Sequence, residues 1–167
     1  RIDIYCSYLG VKPSSRKPIV VVLPEEQEAA REFLTKFPEG KYVYLNQASN
    51  NPRRNTPTKT LEIATLELAN AGVNIILSNQ NVMSVSHPRI IRYENTVRQL
   101  ATMLSVVDVA IVHDSAPLHI GGALGTKMVC IFGCMHPDSR SSHYDPKKVI
   151  WNQYSCPKAP CMYAPCH

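Results

Sequence analysis

The stretch that decides the fold begins Val107-Asp108-Val109-Ala110-Ile111-Val112. It continues His113-Asp114-Ser115-Ala116-Pro117-Leu118-His119-Ile120-Gly121-Gly122-Ala123-Leu124-Gly125 and ends on Lys127 to Phe132. An apolar strand, a turn, a short helix from Pro117 to Leu124 and a second apolar strand follow one another. Proline suits the first helical turn, where its missing N–H would have had no partner. Both strands are apolar throughout rather than alternating, as in a parallel sheet covered on its two faces.

The same grammar extends outward. Ile19 to Leu23 is a β-branched run, predicted as a strand and stopped by Pro24. Glu25 to Phe37 predicts a helix, with acidic residues in its first turn and an apolar stripe of Ala29, Ala30, Phe33 and Leu34. Tyr42 to Leu45 predicts a strand, and a long polar loop runs from Asn46 to Pro57. A helix capped by Thr58 reaches about Ala71, and Val73 to Leu77 is the next strand. Arg89 to Tyr93 predicts a short strand, Thr96 to Val106 a helix and Lys148 to Trp151 a last strand. Strands alternating with helices give an α/β, Rossmann-like parallel sheet with helices on both faces.

At 167 residues the chain predicts one domain with an ordinary apolar share. The formal charge is +5, and its cations are scattered, Arg53-Arg54 with Lys59 forming the densest cluster. A nucleic-acid binder would carry a contiguous basic stripe, so no nucleic-acid partner is expected; loop cations suit a small phosphorylated ligand or a solvated surface. No apolar run approaches the ~20 residues of a membrane span, and no basic-then-apolar leader opens the chain. The start at Arg1 without an initiator Met suggests a fragment, a processed product or an excised domain. Cys6, Cys130 and Cys134 stand apart while Cys156, Cys161 and Cys166 crowd the tail. That is no disulfide framework, and it predicts a reducing compartment; the expected setting is cytoplasmic, at most peripheral to the inner face of a membrane.

Ligands of open α/β sheets bind outside the carboxyl ends of the strands. The turn at Ser115 lies at such an end and opens a helix, so the free amides of Ser115 and Ala116 would face an anion. Ser115 adds a hydroxyl, and His119, one turn in, is within reach of a phosphate or sugar. The plainer alternative has Asp114 and Ser115 capping the helix and His119 packing under the strand. His113 and Asp108 would enter as acid–base candidates only if the anion site were not one.

The block from Asp114 to Thr126, followed by an apolar strand, Phe132-Gly133 and Pro137, resembles the hallmark of glycosyltransferase family nine. The ADP-heptose:lipopolysaccharide heptosyltransferases typify that family. Gln47-Ala48-Ser49 and Arg53-Arg54-Asn55-Thr56-Pro57 resemble its upstream Gly-Ala-Ser and Lys-Arg-Trp-Pro elements. The resemblance implies the C-terminal half of a GT-B enzyme that binds a nucleotide-diphosphate sugar such as ADP-heptose. In it Ser115 and Ala116 bind the diphosphate, Asp114 and His119 shape the pocket, Arg54 neutralises phosphate and Ser49 supplies a hydroxyl. Residues 1–24 would be the interdomain lead-in, residues 25–151 the nucleotide-sugar-binding domain and residues 152–167 a Cys/Pro-rich tail. The N-terminal domain that binds a glycan or lipid-linked acceptor and supplies the family's acidic catalytic residue is not in this chain, so the catalytic residue is unknown and the chain alone is expected to be inactive.

Departures from the family pattern are Ala116 in place of Gly, Cys134-Met135-His136 after the Phe-Gly, and Asn79-Gln80 where an acidic ribose ligand is usual. Tyr93 either stacks on a base or fills the core. The tail, Cys156-x4-Cys161-x4-Cys166-His167, offers three thiolates and an imidazole for zinc or iron. Some family members hold iron through C-terminal cysteines; free thiols or an adventitious disulfide are the alternatives. Beside the transferase stand two rival readings, a non-catalytic GT-B-derived scaffold or interaction module and a cysteine-bound metal domain.

Overall fold

The computed structural model describes residues 2–78, 82–93, 96–146 and 148–151. Helix α1 spans Ile2–Tyr8 and α2 Pro24–Leu34; β1 (Tyr42–Leu45) leads through a 3-10 turn, Pro52–Arg54, to α3 (Thr58–Asn70). Strands β2 (Asn74–Ser78) and β3 (Ile90–Tyr93) precede α4 (Val97–Val106). The second half runs β4 (Val109–His113), α5 (Ala116–Leu124), β5 (Met128–Phe132), α6 (Asp138–Ser141) and β6 (Lys148–Trp151). All six strands are parallel and lie in the order β3-β2-β1-β4-β5-β6. That is the doubly wound order, reversing between β1 and β4.

Strand alternation sorts the core into two layers. Tyr44, Ile76, Ala110, Val112, Met128 and Cys130 point to one face, where Leu34 of α2, Leu100, Met103 and Leu104 of α4 and Leu118 of α5 cover them. Val43, Leu45, Ile75 and Leu77 point to the other, against Leu61 and Leu68 of α3. Helices therefore cover both faces, as the apolar strands require. The Cys130 thiol sits fully buried in the first layer, and burial pushes its pKa up to about 11, as befits a small hydrophobe.

Helix ends follow local chemistry. Thr96 caps α4 by accepting from the Gln99 amide at 3.2 Å, while the Thr96 amide donates to Gln99 Oε1 at 2.9 Å, a reciprocal capping box. Pro24 opens α2 from the first position, and the Leu23 amide donates to Glu26 Oε2 at 2.8 Å. Thr58 is not a cap: α3 begins on it, with Pro57 at the cap position and no side-chain cap bond.

The predicted strand at Ile19–Leu23 does not join the sheet. Ile19 is 86% and Val21 62% exposed; Arg98 Nη1 donates to the Val21 carbonyl at 2.7 Å, and Leu23 turns its amide and carbonyl to the first turn of α2. β-branched residues favour a strand only where a neighbouring strand and a buried face receive them, and the sheet edges are β3 and β6. The first segment forms α1, on which Tyr5 and Tyr8 are exposed, as is Leu9 just beyond it.

Because β2 lies at the centre of one half of the sheet, Ile76→Ala should cost about 2–5 kcal/mol of stability, the usual range for a large-to-small change in a closed core. Urea unfolding measures it.

Candidate functional site

A cleft of about 460 Å³ opens at the carboxyl ends of β1 and β4. Asn46, Ser49, Arg54, Asp114, Ser115 and Ala116 are among its lining residues. Its place follows from topology: the connections leaving β1 and β4 depart to opposite faces of the sheet and leave a crevice between them.

The polar loop after β1 is shaped by its own side chains. The Ser49 amide donates to Asn55 Oδ1 at 2.7 Å, Ser49 Oγ donates to the Asn51 carbonyl at 2.9 Å, and Asn51 Oδ1 accepts from the Arg53 amide at 3.1 Å. The last bond caps the 3-10 turn that carries Arg54. Gln47, buried, donates to the Ser78 carbonyl and accepts from the Met83 amide, bracing the loop against β2.

Three links fasten this loop to the β4–α5 turn. Ser115 Oγ donates to Asn46 Oδ1 at 2.8 Å. The Thr56 amide donates to His113 Nε2 at 3.1 Å, which places the imidazole proton on Nδ1. Arg54 Nη1 donates to the Asp114 carbonyl at 3.1 Å, with its Nε 3.5 Å from Asp114 Oδ2. Asp114 is only 3% exposed and has a second guanidinium beside it, Arg140 of α6, whose Nε also lies 3.5 Å from Oδ2. These three buried atoms make no hydrogen bond within geometric limits; they meet as charges.

Helix α5 begins on Ala116, so its first amides have no intrahelical carbonyl to bond and its dipole favours an anion there. Alanine in place of the family glycine sits on helical backbone, where no left-handed angle is needed. The glycine that matters sterically to the arginine loop is Gly133. A Cβ there would lie 2.5 Å from the Arg53 carbonyl oxygen, so the Phe132-Gly133 element lets the arginine loop pack onto β5.

The remaining candidates fall elsewhere. His119 is half-buried behind the cleft, its Nδ1 2.9 Å from the Tyr144 hydroxyl. Burial lowers its pKa; the Asp114 charge acts against that shift, and Arg140 and Arg54 act with it. Tyr93 packs at 5.3 Å from Phe33 against the core, the second of its two readings. Asp108 braces the opposite end of the sheet, accepting from Lys41 Nζ at 3.0 Å and the Tyr42 amide at 2.9 Å. Asn79, Gln80, Cys156, Cys161, Cys166 and His167 lie outside the described residues. Among the described residues no cluster of His, Cys, Asp or Glu is placed to hold a metal.

Asn46, Arg140 and Tyr144 were not singled out in the sequence. Asn46 carried a usable signal, a polar residue ending an apolar strand. Arg140 and Tyr144 carried none, because only folding brings residues 133–144 against α5.

With that geometry in place, the family model for glycosyltransferase family 9 (heptosyltransferase) matches residues 16–167. The chain belongs to this family. A family 9 glycosyl transferase from Veillonella parvula DSM 2008 superposes with a TM-score of 0.73 at 19% identity, over 92% of this chain and 50% of that one. E. coli ADP-heptose lps heptosyltransferase II gives 0.66 at 13%, over 89% and 52%. E. coli heptosyltransferase WaaC with ADP gives 0.57 at 16%, over 89% and 47%. The chain thus spans about half the length of these structures, and the shared architecture is that of GT-B heptosyltransferases. No curated protein matches the sequence.

The His113 link makes the loop sensitive to acid. Burial holds its pKa below the usual histidine value of about 6.5. The folded state therefore binds fewer protons than the unfolded one as pH falls through that value. The contribution is intact above about pH 6.5 and is lost progressively below it. Urea midpoints should fall between pH 7.5 and 5.5, and fall less in His113→Gln.

Proposed function

We infer that the cleft holds the diphosphate of a nucleotide-sugar donor of the ADP-heptose type, and that the chain is the donor-binding half of a heptosyltransferase-like enzyme. One observation carries this reading: the amino end of α5 and the Arg54 guanidinium meet at the strand-order reversal, in a cleft lined by both. WaaC, solved with ADP, is a relative of the same fold.

Sugar transfer breaks the bond between the anomeric carbon and the diphosphate, and negative charge grows on the departing oxygen. Oriented amides at Ser115 and Ala116, the α5 dipole and Arg54 would stabilise that charge without reorganising. The serines play a different part from the direct donation their type suggests. Ser115 and Ser49 give their hydroxyl protons to Asn46 and Asn51, so they hold the loop and turn in shape, and the phosphates are left to the amides and Arg54. His119 acts one layer behind, through Tyr144.

Asp114 is the one carboxylate among the described lining residues, and two arginines hold it. It is no free base, so the group that deprotonates the acceptor belongs to a further domain. Residues 1–24 are the lead-in to that domain: Tyr5, Tyr8, Leu9, Ile19 and Val21 form an exposed apolar series of the kind that marks an interaction site. The acceptor is a glycan or a lipid-linked sugar, which sets the reaction in the cytoplasm beside the inner face of a membrane. No helix among the described residues is long and apolar enough to cross one. The lack of a free base in the described cleft also favours a second reading, a nucleotide-binding module without chemistry. Binding without sugar release in the presence of the partner domain would identify it.

Calorimetric titration of the chain with ADP, UDP and GDP tests the donor site. ADP should bind, and Arg54→Met should weaken it roughly ten- to a hundredfold, the scale of one hydrogen bond to a charged group. Failure of all three nucleotides to bind, with no effect of Arg54→Met, would overturn the reading.

The tail carries a separate proposal. Cys156, Cys161, Cys166 and His167 supply the soft donor set of a tetrahedral zinc or iron site. Elemental analysis should find stoichiometric metal that Cys161→Ser removes; metal-free native protein would sink it.

A further inference from the structure

Arg140 is the unexplained charge of the site. It reaches Asp114 from α6, outside the cleft lining, and its side chain is only 16% exposed. A four-residue helix has little stability of its own, so something must hold Arg140 in place. Ser141 Oγ donates to the Pro137 carbonyl at 3.0 Å, and the Trp151 indole N–H donates to the Gly133 carbonyl at 3.2 Å. The His136 ring packs edge-on to Trp151 at 4.5 Å. Strand β6 thereby pins the turn that delivers the guanidinium.

The charge count gives it a task. Asp114 lines the cleft that would hold a diphosphate, yet its carboxylate is itself negative. With Arg54 alone, acid and base would cancel and the cleft would present no net charge to an anion. Two guanidiniums on one carboxylate leave a net positive charge. Buried charges interact through a lower effective dielectric than water's, so an uncompensated carboxylate at this depth would be felt strongly.

We propose that Arg140 is a positioning residue for the donor site, which neutralises Asp114 from behind so that the charge of Arg54 stays available to the diphosphate of the donor. Asp114 then serves as a joint: it orients Arg54 through its carbonyl and carboxylate while Arg140 absorbs its charge. The proposal rests on the nucleotide-diphosphate reading above and adds a residue that does not touch the ligand.

The test is a charge cycle on the chain, read as ADP affinity by calorimetry at low salt, with thermal unfolding to verify the fold. Arg140→Met should weaken ADP on the order of ten- to a hundredfold, the scale of one unneutralised charge several ångströms away at an intermediate dielectric. The double variant R140M/D114N removes both charges, and the backbone carbonyl that receives Arg54 Nη1 remains. It should bind ADP several-fold more tightly than R140M, though less tightly than wild type because the carboxylate contact that helps orient Arg54 is gone, and losing a buried pair together should let it fold even if R140M does not. If Arg140 served the fold alone, R140M would lose thermal stability and keep wild-type ADP affinity in its folded fraction. Wild-type affinity in R140M, or a double variant as weak as R140M, would overturn the proposal while leaving the donor reading intact. Absence of ADP binding by the wild type would overturn both.

Discussion

A carboxylate enclosed by two guanidinium groups joins three parts of the chain that are distant in sequence. Asp114 ends the β4 turn, Arg54 belongs to the loop after β1, and Arg140 belongs to the turn after β5. Leaving a buried charge without its partner is strongly unfavourable, so each segment is held to the other two. The remaining polar links, Asn46 to Ser115 and Thr56 to His113, are neutral and depend on the same approach of loop to turn. The cleft is the space left over once these segments have met.

What lets them meet is steric as much as electrostatic. The Arg53 backbone passes too close to Gly133 for any side chain at that position, and the Tyr144 ring lies where a Cβ on Gly122 would stand, 2.4 Å away. Gly122 and Gly133 are therefore places where one segment lies directly on another. The same close approach puts the Tyr144 hydroxyl on His119 and turns that side chain away from the cleft.

Much of the fold was legible because the parallel sheet imposes a simple pattern. Ile75, Ile76 and Leu77 are all fully buried, as a strand covered on both faces must be, and such runs are easy to find. The run at Ile19–Leu23 shows the limit of that signal, since β-branched composition reports a preference and the availability of a sheet edge decides the outcome. In the site, Ser115 and Ala116 were read from the strand–turn–helix unit, Ser49, Arg54 and Asp114 were implied by the family resemblance, and all five line one cleft. His119 belonged to the same block but faces Tyr144, because rotation about a helix axis is set by what packs against it.

The sequence by itself determined the α/β class and the strand–turn–helix unit around Ser115, because these rest on contacts between near neighbours and on hydrophobic period, and its motifs carried the resemblance to the family. Only the tertiary structure decided that the hydroxyls of Ser115 and Ser49 face inward, that Asn46 and His113 are latches, and that Arg140 shares Asp114 with Arg54. Those outcomes depend on which segments are adjacent across the reversal of strand order, and the residues involved are separated by up to 94 positions, as Asn46 and Arg140 are. Local propensity carries no information over that distance.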